Sequence, residues 1–324
     1  MSNKLVTVFG ASGFVGRHTV RALAKEGWRI RAVCRKPNLA NYLQPAGQVG
    51  QIQLVKGNVG SNEDVARALD GADAAVNLTG VLYGHGAQSF AGIHIEAARR
   101  IGRAARKAGV EALVHLSALG ANVYGLSSYA ESKARGENDL IVEYPGVTIL
   151  RPSVVFGPED SFFNKFASLA RFTPVLPLIG GGHTKFQPVY VADVAAAIVR
   201  VLTIPEASGT TYELGGPRVY TFKDLMQFIL SETGRKRLLV PWPFFLASIN
   251  AFFLQMPSSI LPIAPILTVD QVRLLRTDSV VTPDMHGFAE LGIVPQAMEA
   301  VVPSYLWRFH PKGQFRDAAG AVSK

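Results

Sequence analysis

The chain has 324 residues, 48% of them apolar and 18% charged, with a formal net charge of +9. That length and apolar share can bury a full core, so the chain reads as a soluble α/β protein with one main domain and a smaller second lobe. The cationic excess would suit nucleic acid, anionic lipid or an acidic partner. However, the Lys and Arg are scattered without zinc-finger spacing or an RNA-stacking motif, so no nucleic acid is expected, and the one cysteine, Cys34, excludes an intramolecular disulfide.

The apolar run Leu5–Phe9 predicts a strand, and Met1 stands too close ahead of it for a signal or transit peptide to be expected. Gly10-Ala-Ser12-Gly13-Phe14-Val15-Gly16 follows and leads into an amphipathic helix over Phe14–Lys25. In that setting the first glycine allows a tight turn, the second lets a pyrophosphate approach the backbone, and the third lets the helix pack closely on the sheet. The N–H groups of the helix start then face phosphates, which makes Ser12, Phe14 and Val15 contact candidates with the three glycines. A tight turn with no ligand is the plainer alternative.

A second strand over Arg29–Cys34 ends in Arg35-Lys36-Pro37, where an NAD site would carry a carboxylate for the ribose 2′-OH. Cations there select NADPH: Arg35 and Lys36 are placed on the 2′-phosphate, and Arg17 can assist from the first turn of the helix. A solvated basic strand end would look the same.

Next come a strand over Ile52–Val55, a helix over Asn62–Leu69 and a strand over Ala74–Leu78. Asn58-Val59, after the third strand, and Leu78-Thr79-Gly80, after the fourth, occupy strand C-terminal ends where the adenine and the nicotinamide ribose should run. A long helix at about Ser89–Lys107, a strand at Ala112–Leu116, a helix at Ser128–Glu143 and a strand at Val147–Leu150 complete the alternation. Strands separated by helices pair in parallel through right-handed crossovers, which predicts a doubly wound sheet.

The chemistry-bearing pair is Tyr129 and Lys133, which share a helix face at i and i+4, so the ammonium can hold a ribose and lower the pKa of the phenol. Ser117, at the end of the preceding strand, is placed to hydrogen-bond a substrate carbonyl. Pro152, Ser153 and Val154 are further candidates for cofactor contact. The residues alone leave open whether the pair turns over a substrate or only binds the ribose. His85 and His94 form no cluster with Cys or carboxylates, so no metal site is expected.

After Arg151-Pro152 the alternation loosens, and it returns with a helix over Val191–Leu202 and a strand over Thr211–Leu214. The expected division is therefore 1–156 plus 187–216 for the dinucleotide-binding domain, and 157–186 plus 217–324 for a substrate-like or docking lobe.

Together, Gly10, Gly13, Gly16, Ser117, Tyr129 and Lys133 resemble the short-chain dehydrogenase/reductase superfamily in its extended, epimerase-like or atypical branch. The stretches 115–122, 151–160, 162–168 and 187–193, with Arg171-Phe172, resemble the nucleotide-binding accessory subunits of respiratory complex I, NADH:ubiquinone oxidoreductase. That resemblance covers most of the chain. It implies a doubly wound, parallel Rossmann-type sheet with a smaller, mainly helical C-terminal lobe. It also implies a tightly held NADPH and a place near the junction of the peripheral and membrane arms, with no turnover required. Without a targeting segment, the expected setting is peripheral, on the cytoplasmic face of a bacterial inner membrane. The alternatives are a free-standing NADP-dependent reductase or epimerase, in which Tyr129 moves the proton, and a redox-sensing regulator.

Residues 238–269 carry no charge and are rich in Phe, Leu and Ile, while Arg235-Lys-Arg237 precedes them. Pro241, Pro243, Pro257, Pro262 and Pro265 break the stretch into pieces too short to cross a bilayer. The proline-free piece Phe244–Met256 presents Phe245, Ile249, Phe252, Phe253 and Met256 at mainly helical spacing. It is expected to contact other complex subunits and possible lipid, with lobe core as the alternative.

Overall fold

The computed structural model describes residues 4–84, 88–260, 265 and 267–315, and for 257–260 and 315 it describes the backbone alone. His85, Pro262 and part of the uncharged stretch lie outside the described residues. The chain divides into two units, Met1–Pro152, Val191–Leu214 and Thr282–Val294 forming one, and Ser153–Tyr190, Gly215–Val281 and Pro295–Lys324 the other.

In the first unit the alternation of apolar runs and amphipathic segments becomes β1 (Leu5–Phe9), α1 (Phe14–Lys25), β2 (Arg29–Cys34), β3 (Ile52–Lys56), α2 (Asn62–Leu69) and β4 (Ala74–Asn77). It continues as α3 (Ala97–Ala108), β5 (Ala112–Leu116), α4 (Ser128–Glu143) and β6 (Thr148–Pro152). With the strand Thr211–Leu214 these make a seven-stranded sheet in the order Thr211–Leu214, β6, β5, β4, β1, β2, β3. Every pairing in it is parallel. The fold is thus a doubly wound, Rossmann-like sheet. Its order reverses between β1 and β4, and a crevice outside the strand ends at such a point is where ligands bind in open α/β sheets.

The segment Thr282–Val294 joins the first unit through Glu213, whose carboxylate accepts the Thr282 N–H at 2.7 Å and whose own N–H donates to the His286 carbonyl. On one face of the sheet Phe9, Leu69, Ile101, Leu113 and Leu140 form a continuous buried core.

Three contacts set the position of α4. Arg151 on β6 holds the buried Glu137 with both arms of its guanidinium. Lys133 Nζ donates to the Leu116 carbonyl at 3.1 Å. Gly136 lets the helix press against the chain at His94: a Cβ there would lie 2.0 Å from the His94 carbonyl oxygen. The sequence reads one continuous helix from Ser89, whereas Ala91–Glu96 is a π-helical stretch that precedes α3. Such a widened turn is common at functional sites, and here it contains His94.

In the second unit, Phe156, Phe163, Phe186, Phe222, Met226 and Tyr305 build a separate aromatic core. Asp160 accepts hydrogen bonds from the Gly157 and Asn164 N–H groups and from the Tyr305 hydroxyl at 2.7 Å. Leu238–Trp242 forms a strand parallel to Val175–Ile179. The sequence does not signal it because Pro241 sits inside, and a proline is tolerated in a ladder only where its missing N–H is not needed.

Helix Phe244–Ile260 runs through Pro257 for one more turn instead of ending at Met256. Its Ala247 and Ala251 are buried with Ile179 and Val272. The opposite face is exposed: Phe245 at 62%, Ile249 and Phe252 at 53%, Phe253 at 63% and Met256 at 50%. Among the described residues, the core of the second unit therefore does not cover this apolar face. No described helix is long and apolar enough to cross a membrane.

Gly136→Ala should destabilise the protein by about 1–3 kcal/mol or more, the usual cost of forcing volume into a packed interior. A drop in the thermal unfolding midpoint measures it, and an unchanged midpoint would contradict the tight approach of α4 to His94.

Candidate functional site

Helix α1 begins without a side-chain cap, at Gly13, and has no acidic residue in its first turn. By contrast, α2 and α4 are capped by the hydroxyls of Ser61 and Ser127. The first-turn N–H groups of α1, on Phe14, Val15 and Gly16, are thus left for an external acceptor, and the helix dipole favours an anion there. The glycines leave that place open. Gly10 has a φ of +78°, and a Cβ on it would touch the Leu78 carbonyl at 3.0 Å. At Gly16 a Cβ would lie 2.2 Å from the Gly10 oxygen, so the helix can approach the turn only without a side chain. These features fit a dinucleotide pyrophosphate.

Arg35 and Lys36 are exposed at the end of β2, beside β1 in the register Phe9↔Val33. Cys34 is buried, and burial pushes its thiol pKa up despite a bond from Ser12. Arg17 stacks its guanidinium 4.9 Å from the ring centroid of Tyr42, whose hydroxyl donates to the Ser12 carbonyl at 2.8 Å. Tyr42 is a residue that sequence reasoning misses: it lies in a 3₁₀ segment carrying no motif, and only the fold brings it to the glycine turn.

Asn58 turns its side-chain oxygen onto the Gly60 N–H, and the Val59 carbonyl accepts from Arg100. Leu78 continues the ladder to Phe9, while the Thr79 N–H and hydroxyl both donate to Asn77 Oδ1. Gly80 stands close to Lys133, its Cβ position 3.5 Å from Nζ. Pro152 closes β6, and its carbonyl accepts the Leu119 N–H. Ser153 and Val154 belong to the second unit, where the Ser153 hydroxyl is engaged by the Ser279 carbonyl at 2.7 Å.

At the ends of β4 and β5 the first unit gathers Ser117, Tyr129, Lys133, His94 and His115. Ser117 Oγ is buried and has no hydrogen-bond partner among the described residues, which leaves a hydroxyl ready for an incoming acceptor. Lys133 Nζ lies 6.0 Å from the Tyr129 ring centroid. Burial pushes the Lys133 ammonium down to about 8 and the Tyr129 phenol up to about 12. The expectation that Lys133 lowers the phenol pKa is therefore corrected: desolvation sets the direction, and it is upward.

His94 joins two walls of this cluster. Its Nε2 accepts the Val81 N–H at 3.1 Å, so Nδ1 carries the proton and donates to Ser132 Oγ at 2.8 Å. The Ser132 hydroxyl in turn donates to the Tyr129 carbonyl. The imidazole also meets the Tyr129 ring edge-to-face at 5.4 Å. His115 Nδ1 accepts from Asn77, and its Nε2 has no partner among the described residues. Burial, with Lys133 nearby, drives the pKa of His115 well below the ordinary range and that of His94 to about 3. The sequence considered His94 only as a metal ligand, because its partners come from distant segments. Among the described residues, no group of three His, Cys, Asp or Glu could hold a metal ion.

The sign of the pH dependence follows. Unfolded, His94 titrates near 6.5, and folded near 3, so on acidification the unfolded chain takes up the proton first. The stability this residue contributes is intact above about pH 6.5 and is lost as pH falls towards 3, by about 2 kcal/mol at pH 5. His94→Gln should flatten the fall in urea-unfolding free energy between pH 7.5 and pH 5. Identical slopes for variant and wild type would refute the assignment.

Residues 6–215 match the model of the NAD dependent epimerase/dehydratase family. The chain is similar to the mitochondrial protein NADH dehydrogenase (ubiquinone) 1 alpha subcomplex subunit 9 of Arabidopsis thaliana, 33% identical with 97% of this chain and 80% of that protein covered. To the ceramide reductase of Caulobacter vibrioides it is 31% identical, over 74% of each chain. Among solved structures, the NADPH-dependent quinone oxidoreductase QOR2 of Escherichia coli, complexed with NADPH, superposes with a TM-score of 0.73 at 20% identity, covering 93% of this chain and 99% of that one. MoeE5, in complex with UDP-glucose and NAD, does so at 0.68 and 17%, covering 99% of this chain and 100% of that one. With the family model matching well over half its length, the chain belongs to the NAD dependent epimerase/dehydratase family.

Proposed function

We propose that this chain is an NADPH-holding accessory subunit of a proton-translocating NADH:quinone oxidoreductase, respiratory complex I. The observation that carries the reading is the similarity to the plant alpha subcomplex subunit, which extends through both units and 80% of that protein's length. We place it peripherally on the cytoplasmic face of a bacterial inner membrane, near the junction of the peripheral and membrane arms. The exposed face of helix Phe244–Ile260 supports that position. Five large apolar side chains left open to water are an aggregation liability unless a neighbouring subunit or lipid covers them.

Gly10, Ser12, Gly13, Phe14, Val15 and Gly16 hold the pyrophosphate. Arg35, Lys36 and Arg17 take the 2′-phosphate, Asn58 and Val59 border the adenine, and Leu78, Thr79 and Gly80 line the nicotinamide side with Pro152. Lys133 and Tyr129 hold the nicotinamide ribose. When bound, NADPH supplies a transferable hydride and, because it binds only the folded chain, added stability. Burial that pushes the Tyr129 phenol up to about 12 supports the holding role.

The similarity to ceramide reductase favours a second reading, a free-standing NADP-dependent reductase. There Tyr129 would pass the proton, Lys133 would tune it and Ser117 would orient the carbonyl.

Arg35→Asp should reverse or abolish a preference for NADPH over NADH, measured by titrating each dinucleotide. Equal affinities in the wild type would remove the basis for NADPH.

The subunit reading is tested in detergent-solubilised membranes of the source organism, where wild type should co-migrate with the quinone-reducing complex. Tyr129→Phe should leave NADH:quinone activity nearly intact, while Phe252→Asp should detach the chain without loss of bound NADPH or thermal stability. A soluble small oligomer in the wild type, or a large activity loss in an assembled Tyr129→Phe, would favour the reductase.

A further inference from the structure

Outside the dinucleotide site, the first unit has a cavity of about 360 Å³ between α2 and α3. Its lining carries four cations, Arg99, Arg100, Arg103 and Lys107, against one carboxylate, Glu96. Nothing in the dinucleotide reading uses it.

Arg99, Arg103 and Lys107 recur at i, i+4 and i+8, so they form a single stripe with a cation about every 6 Å along the helix axis. Arg99 pairs with Glu96 one turn earlier at 2.7 Å and Arg103 with Glu143 on α4 at 2.5 Å, yet they stay 42% and 68% exposed. Arg100 is pinned from behind by Asn62 Oδ1 and the Val59 carbonyl, which turns the guanidinium into a fixed wall. Lys107 has no ion pair among the described residues.

The geometry suits one kind of occupant. An extended chain repeats every second residue at about 6.7 Å, close to the spacing of the stripe, so carboxylates at alternate positions would meet successive cations. A single phosphate can engage neighbouring cations but does not extend along a stripe of roughly 12 Å from Arg99 to Lys107. Large apolar side chains are absent from the exposed residues of α2 and α3, so the face lacks the anchor that a helix lying in a bilayer needs. A second copy would bring like charge against like charge.

We infer that the α2–α3 groove docks an acidic segment of a neighbouring protein subunit, with Asp or Glu at roughly 6 Å intervals along the Arg99–Arg103–Lys107 stripe. This rests on the reading of the chain as a subunit of the complex and names one of its contact surfaces.

The test uses the full chain in native membranes, with a photo-crosslinking amino acid at Lys107 and, separately, the triple variant Arg99→Gln, Arg103→Gln, Lys107→Glu. None of these residues touches the dinucleotide site. The triple variant should be recovered with the quinone-reducing complex at least tenfold less than wild type, with unchanged NADPH content and thermal midpoint. The crosslink should land on a carboxylate-rich segment of another subunit. If the triple variant proves unstable, Lys107→Glu alone should still lower recovery about threefold.

Equal recovery of wild type and Lys107→Glu would overturn the groove while leaving the subunit reading intact. A crosslink between two copies would overturn it too, as would loss only of binding to phosphatidylglycerol vesicles. Wild type absent from the complex would overturn both.

Discussion

A methyl group on Gly16 would sit 2.2 Å from the carbonyl oxygen of Gly10, and the first unit depends on the closeness that this hydrogen permits. Because α1 can lie against the turn, its first N–H groups open at the end of β1 instead of being folded away from the sheet. The same approach brings Ser12 under Tyr42 and sets Arg17 against that ring. Were the helix an ångström or two further out, the turn would still be a turn. It would no longer be a cradle with its donors converging on one point.

The second recurrent feature is low polarity around titratable groups. His94, His115 and the α4 pair Tyr129 and Lys133 come from three separate segments, and each side chain is pushed towards its neutral form by burial. Two neutral imidazoles with defined tautomers act here as rigid spacers. His94 bridges the Val81 amide and Ser132, and through Ser132 it reaches the backbone of Tyr129. The geometry of the Tyr129 and Lys133 pair is therefore set by packing and hydrogen bonds more than by mutual electrostatics. That is the arrangement expected of groups that hold a ligand in one pose.

The charged and apolar surfaces divide between the units. The stripe of α3 belongs to the first, and the bare face of helix Phe244–Ile260 belongs to the second. The exposed hydrocarbon is costly in an isolated soluble chain, while the stripe, with Arg99 and Arg103 already paired to Glu96 and Glu143, keeps exposed cationic surface for a partner. A chain held among other subunits carries both at little cost, since partners supply the missing countercharge and the missing cover.

Much of this was determined by the sequence itself. The strands β1, β2 and β5 and the helices α1, α2 and α4 fall where periodicity and glycines put them, because their signals are local: alternating helices and strands, a strand-turn-helix glycine run, and a Tyr and Lys one helical turn apart. Parallel pairing in a doubly wound sheet follows from the same alternation, while the order of the seven strands is a property of the fold. What only the tertiary structure decided is where distant residues meet. Tyr42 at the glycine turn, His94 beneath Tyr129, the π-helical stretch Ala91–Glu96 and the pairing of Leu238–Trp242 with Val175–Ile179 all rest on contacts between segments remote in sequence. So does the failure of Lys133 to lower the phenol pKa, since i, i+4 spacing predicts a shared helix face but not the dielectric around it. Burial is a property of the whole fold, and it decided whether charge on those two side chains was favoured or suppressed.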